Sequence, residues 1–295
     1  MTTAQDLVEE VRRYLFAGQR ETLNLLSSNP SNSDTTLTFS NDLGPLVAGT
    51  YLSIDLEIMY VWSVSTASKT ATVQRGMLGS TAVSHTAGTI VYVNSKFPTF
   101  SIFTEINNDI NDLSSPTNGL YAVGTVDVTY NPSVQGYDLN ASVIDVLSVT
   151  AQTVGPSKEW VQLGNWRLDP NAQTATFPSG QSITLYQGGD PGRTVRITYS
   201  KPFTAFSALT DNLSTTGMAA SMADIPPLGA AMRLAGVREV KRNFTESQGD
   251  TRRASEVPPN AQVAGMTVLM RERARRIKAE AARLASSWPT MRRFV

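Results

Sequence analysis

The sequence predicts an α+β fold: a small β module and a larger antiparallel β-sandwich-like domain, flanked by N-terminal and C-terminal helices. Three observations predict it. Apolar residues recur at helical spacing only towards the two ends and once between them, around 99–113. The rest is a series of short alternating or β-branched runs, cut by Asn-Pro, Gly-Pro, Asp-Pro and glycine-rich breaks at the intervals of a sandwich. Charged residues make up only 17% of the chain, and Thr, Ser, Asn and Gly fill the difference, which suits strands and turns. The length of 295 residues allows about two domains at roughly 150 residues each.

An N-terminal helix is predicted within 1–28. Thr3 and Asp6 fit a capping box, and Leu7, Val11 and Leu15 recur every four residues, with Val8 and Tyr14 widening the stripe. The break 29–34 ends it, and a small β module follows over 33–97, with strands at 36–39, 51–62, 70–75 and 89–94. Inside the module, Arg75 to Thr89 is read as a turn-rich crossover between strands. It lacks the following helix, the spacing and the lysine of a phosphate loop. A second helix is predicted over 99–115, with Phe103, Ile106, Ile110 and Leu113 on one face and Glu105, Asn108, Asp109 and Asp112 on the other.

The sandwich-like domain is assigned to 118–207, with strands at 121–130, 142–150, 159–168, 174–177, 182–186 and 193–199. Trp160, Trp166, Phe177 and Tyr199 are its expected large core or rim side chains. A C-terminal helical segment takes 208–295: one helix from Pro226-Pro227 to about Arg242, an extended mobile loop over 243–260, and a final helix. That last helix places Val263, Met266, Met270, Ala274, Ile277, Ala281, Leu284 and Trp288 in one stripe, opposite Arg271, Glu272, Arg275, Arg276, Lys278 and Arg283, until Pro289.

Several function classes find no support in the residues. With no cysteine there is no disulfide, thiolate metal site or cysteine nucleophile. The start lacks the basic and apolar regions of a secretion signal, no run approaches the ~20 apolar residues of a membrane span, and the Asn-x-Ser/Thr matches at Asn140, Asn212 and Asn243 are read as chance. The expectation is a soluble protein made inside a cell, without membrane contact. His85 is the only histidine and no Gly-x-Ser-x-Gly elbow occurs. Asp109 and Asp112 could be paired on paper as glycosidase carboxylates, but a solvated helix face describes them better; His85 is read as a turn residue bonding nearby backbone. No catalytic, cofactor-binding or metal-binding residue is assigned.

Charge is divided unevenly. From Leu228 to Val295 fourteen basic residues face six acids, a net of eight positive charges, and the remainder of this formally neutral chain carries eight negative ones. An acidic body with a basic tail suits head-to-tail contact between copies, or a basic end kept for an acidic partner. The arginines of 271–283 are also a phosphate-binding footprint, although Glu272 and Glu280 among them equally describe an ordinary packed amphipathic helix. The interface candidates are Arg252, Arg253, Arg271, Arg275, Arg276, Arg292, Arg293, Phe294 and Val295, the last four because two apolar residues after two arginines suit insertion into a partner.

The string Arg75-Gly-x-x-Gly-Ser-Thr-Ala-x-x-His85-x-x-Gly88-Thr resembles a module of tailed-bacteriophage virion proteins. Ile225-Pro-Pro-Leu-Gly-Ala-Ala-x-Arg-Leu, Arg238-Glu-Val-Lys-Arg, Gln248-Gly-Asp-Thr-Arg-Arg-Ala-Ser-Glu-Val-Pro-Pro259 and the arginine-rich helix closing on Trp288-Pro289 resemble structural-gene products of phages infecting actinobacteria. These strings cover about a quarter of the chain. The resemblance implies a non-enzymatic structural ring subunit of the neck, a head-to-tail connector or adaptor beneath the portal. Its implied partners are further copies of itself, the portal protein, other neck or tail proteins and, non-specifically, packaged double-stranded DNA; its place is the virion, assembled in the host cytoplasm, with no cofactor. Many such adaptors are shorter and more helical. The large β domain therefore keeps open a tail or baseplate component with a receptor- or carbohydrate-binding surface, for which Trp160 and Trp166 are the sugar-stacking candidates, and third a hydrolase, which would need carboxylates converging on His85.

Overall fold

The computed structural model describes residues 2–16, 21–134, 136–154, 158–186, 190–245 and 261–288, without side chains at 237–245 and 261–264. It has the expected α+β architecture, with helices towards both ends and antiparallel sheets between them. The chain divides into two compact units, the first comprising 1–110, 205–215 and 219–276 and the second 111–204, 216–218 and 277–295.

In the first unit, helix α1 (Ala4–Phe16) begins with the predicted box: the Thr3 N–H donates to Asp6 Oδ2 at 2.8 Å and the Asp6 N–H to Thr3 Oγ1 at 3.2 Å. Its buried face is Leu7, Val8, Val11, Arg12 and Phe16. Tyr14 does not widen that stripe but is exposed, and Arg12 takes a buried place because its guanidinium lies over the Tyr92 ring, 3.8 Å from the centroid, and donates to Thr99 Oγ1.

Six strands follow: β1 (Thr22–Leu25), β2 (Thr36–Thr38), β3 (Tyr51–Ile54), β4 (Glu57–Ser65), β5 (Thr70–Gln74) and β6 (Ile90–Val93). They pair antiparallel in the order β1-β6-β3-β4-β5-β2. An antiparallel bridge between Leu26 and Phe39, with the Ser27 N–H on Thr38 O and the Ser40 N–H on Leu25 O, joins the two outer strands and closes the sheet into a small barrel. Leu37, Leu52, Ile54, Met59, Val61, Val73, Val91 and Val93 fill its interior.

Two elements differ from the sequence expectation. Residues 51–62 are not one strand but a hairpin, turned at Asp55 with φ 50°, a left-handed conformation that Asp tolerates better than most residues. The region 1–28 is not only helix, since β1 forms by pairing with β6; its alternation is inverted, with Asn24 buried and Leu23 and Leu25 exposed.

Helix α2 (Thr99–Leu113) starts where predicted and ends two residues before 115, and α3 (Ile225–Thr245) opens at Pro226-Pro227 as expected, after two 3-10 turns at Leu213–Thr216 and Ala220–Met222. The division between units falls inside α2 and inside α4 (Ala261–Ser287). On α4 the predicted stripe holds in the second half, where Ile277 and Leu284 are buried together with Glu280, but not in the first, where Met270 and Ala274 are exposed. The expected loop over 243–260 begins as the end of α3 and from 246 lies outside the described residues.

The second unit carries a four-stranded antiparallel sheet, in the order β10 (Trp160–Gln162), β9 (Asp145–Gln152), β13 (Thr194–Lys201), β7 (Ala122–Thr129). Its second sheet has the order β11 (Trp166–Asp169), β12 (Ser182–Leu185), β8 (Gly136–Asp138). Val146, Val149, Ile183, Leu185, Val195, Ile197 and Tyr199 form the core, with Trp166 packed against it. The predicted strand 159–168 is two strands in different sheets, 174–177 is a turn, and the three-residue β8 has no run long enough to announce it. Rings lie directly over glycines: a Cβ on Gly124 would meet the Tyr199 ring at 2.7 Å, and one on Gly136 the Phe177 ring at 2.7 Å.

Candidate functional site

The densest set of chemically capable side chains closes one end of the barrel. The Arg75–Thr89 crossover connects β5 to β6, which are not neighbours in the sheet, so it must pass the β3–β4 turn. There Glu57, at the start of β4, is fully buried and gathers five donors. Arg75 Nε and Nη2 donate to its two oxygens at 2.7 Å each, the Gly76 N–H reaches Oε1 at 3.0 Å, the Val83 N–H reaches Oε2 at 3.2 Å, and His85 Nε2 lies 3.0 Å from Oε2. The other ring nitrogen, Nδ1, is 2.8 Å from Asp55 Oδ2. Arg75 Nη1 continues to the carbonyls of Ser31 and Asp34, and the His85 N–H donates to Pro30 O at 3.0 Å, so the 29–34 loop is held as well. Ser80 adds a further clasp, accepting from the Ile58 N–H at 2.9 Å and donating to Met77 O at 2.7 Å.

Burial by itself raises the Glu57 pKa, yet hydrogen bonds from Arg75 and His85 and from the Val83 and Gly76 amides outweigh it and hold the carboxyl at about 2. For His85 burial disfavours the cation, but the hydrogen bonds to Asp55 and Glu57 and the attraction of their charges raise its pKa above the ordinary value. The two carboxylates balance Arg75 and a protonated His85.

The expectation that His85 bonds nearby backbone is therefore corrected: its ring bonds two carboxylates about thirty residues away in sequence, and only its own N–H bonds backbone. The carboxylates required by the hydrolase reading do converge on it. However, both ring nitrogens are engaged, the side chains of His85 and Glu57 are fully buried, and only Asp55 meets solvent. No nitrogen is left to take a proton from a substrate, and a general base needs reach as well as basicity. Among the described residues no group of His, Asp and Glu has the arrangement of a metal site.

The other candidates are scattered. Asp109, expected on a solvated face, is fully buried: Arg273 Nη2 of α4 lies 2.8 Å from Oδ1 and Arg233 Nη2 of α3 at 3.8 Å. Glycine is required at 229 on α3, since a Cβ there would lie 1.9 Å from the same oxygen. Asp112 instead accepts from Asn118 through its backbone and side-chain oxygens. Of the interface candidates, Arg276 is held within the chain by Asp224, at 2.6 and 3.0 Å, and by Ser221 O. Arg275 pairs with Glu272 one turn away, and Arg271 is exposed. Arg252, Arg253, Arg292, Arg293, Phe294 and Val295 lie outside the described residues.

Trp166 is partly buried and packs against the sandwich core, while Trp160 stays 39% exposed with the Arg196 guanidinium 4.4 Å from its ring centroid. A row that sequence reading missed lies on the barrel: Tyr51, Tyr60 and Trp62 meet edge to face at 5.4 and 4.8 Å, and Trp62 is 59% exposed. Its only sequence signal is Tyr60 and Trp62 two apart on one strand face. No helix among the described residues is long and apolar enough to cross a membrane. No family model matches the chain, and no curated protein matches it.

Proposed function

We propose that the chain is a structural ring subunit of a tailed-phage neck, joining portal and capsid to tail, and that it carries no catalytic centre. The reading rests on the resemblance of the 75–89 and C-terminal strings, and the observation that carries it is the closed state of the only histidine. A group able to do acid–base chemistry holds a strand crossover in place, with both ring nitrogens on carboxylates. That is the use expected of a module repeated for its shape. Within the described part of the basic tail, the exposed Arg271 is the residue offered to neighbours. The receptor-binding alternative has less to stand on, because Trp166 is packed inward and Arg196 occupies one face of Trp160.

The test is native mass spectrometry of the purified protein at low and high salt, alone and with the portal protein of the same virion. Closed oligomers that weaken with salt, as contacts screened over a Debye length of about 8 Å should, and a complex with portal are expected. A salt-insensitive monomer that ignores portal would overturn the reading.

A further inference from the structure

We propose that the 75–89 crossover is a proton-operated latch, fastened by a doubly protonated His85 that bridges Asp55 to Glu57 and loosened when that imidazolium loses a proton. Hydrogen-bond chemistry requires the charged form. An ionised carboxylate only accepts, so each ring nitrogen facing one must carry a hydrogen, and only the imidazolium has two. Glu57 is ionised because Arg75 and two amides donate to it besides His85. Asp55 keeps half its side chain in water. The charged groups around the ring are Asp55 and Glu57 from the β3–β4 hairpin, Arg75 from the end of β5, and Asp34 from the 29–34 loop, whose carboxylate is engaged by the Ser31 N–H. Asp55, Glu57 and Asp34 set three carboxylates against the single positive charge of Arg75, and a cationic His85 reduces that imbalance.

The geometry also determines which side lets go. A neutral imidazole keeps one N–H, and that hydrogen stays with Glu57, which four other donors hold in place. The Nδ1 lone pair then faces the Asp55 carboxylate at 2.8 Å and repels it. Asp55 sits on a turn at φ 50° with an open path to solvent, so it swings out, and the β3–β4 turn no longer fastens the crossover. The pKa of His85 is raised, so this contribution is complete below the unfolded value of about 6.5 and is lost as pH rises through the higher folded value. The latch therefore loosens as pH rises through the raised His85 pKa.

Because the chain has one histidine, ring nitrogen-15 NMR of tag-free, histidine-labelled full-length protein reads it without ambiguity. Both ring nitrogens should be protonated at pH 7, with a titration midpoint above that of a free imidazole and a lower midpoint in Asp55→Asn. The second readout is cleavage by thermolysin at Leu78, 62% exposed on the crossover, at a single fixed pH of about 7. Asp55→Asn should be cut about fivefold faster, the population change that corresponds to about 1 kcal/mol. A neutral ring with one N–H at pH 7 overturns the proposal, and so does a charged ring whose midpoint and cleavage rate ignore Asp55→Asn. Should that variant not fold, the wild-type titration decides alone.

Discussion

The barrel of the first unit and the paired sheets of the second are both antiparallel, yet they are closed by different means. The barrel seals its end with charge: a fully buried carboxylate, an arginine and a histidine drawn from β4, the end of β5 and the crossover. The second unit joins its sheets through an apolar core, with aromatic rings laid on glycines at Gly124 and Gly136, and its Asp127–Arg196 pair, at 2.8 Å, lies in solvent. The difference teaches where an ion pair matters. A crossover of some fifteen residues with glycines at 76, 79 and 88 offers little apolar surface to bury, so directional bonds must position it, and a buried charge is tolerated only when every partner is present. Long paired strands already satisfy their backbone and need no such clamp.

The largest expected effect breaks the clamp. Glu57→Ala leaves Arg75 buried without its paired carboxylate and His85 with Asp55 alone, which costs roughly 3 to 5 kcal/mol. Hydrogen exchange should show loss of protection across β3 to β6 with the second unit unchanged; equal loss in both units would mean that the clamp is not local to the barrel.

Acid should separate the regions next. The Glu57 pKa is depressed to about 2, so its contribution is present above about 4.5 and disappears as pH falls from there through 2, on the order of 3 kcal/mol in all. Asp127 is also lowered, by its hydrogen bond from Arg196, but solvent screens that pair. Barrel amides should therefore lose protection before those of β7 and β13 between pH 5 and 2.

Steric crowding should reverse the order. Gly124→Ala must displace the Tyr199 ring, an overpacking cost of typically 1 to 3 kcal/mol, and chemical denaturation followed by exchange should show weakening of β7 and β13 alone. An unchanged midpoint would show that the ring moves aside freely. The smallest effect belongs to Asp127→Asn, for which the unfolding midpoint should not move measurably and the cation–π contact of Arg196 with Trp160 should persist.

By itself the sequence determined what depends on neighbours in the chain. The Thr3/Asp6 box, the 99–113 helix, the helix opening at Pro226-Pro227 and most strand positions follow from capping geometry, 3.6- or 2-residue periodicity and turn residues, all of which act within a few positions. The crossover was legible as a crossover. Tertiary structure alone decided the closing bridge of Leu26 to Phe39, the hairpin hidden in 51–62, and the partners of Glu57, His85, Asp109 and Arg276. Asp109 looks like any polar residue on a helix face until Gly229 and Arg273 are brought against it, and Glu57 looks exposed until a segment eighteen to twenty-eight residues later folds over it. The physical reason is that the cost of burying a charge depends on distant counter-charges converging at hydrogen-bond distance, and no local pattern of residues records that convergence.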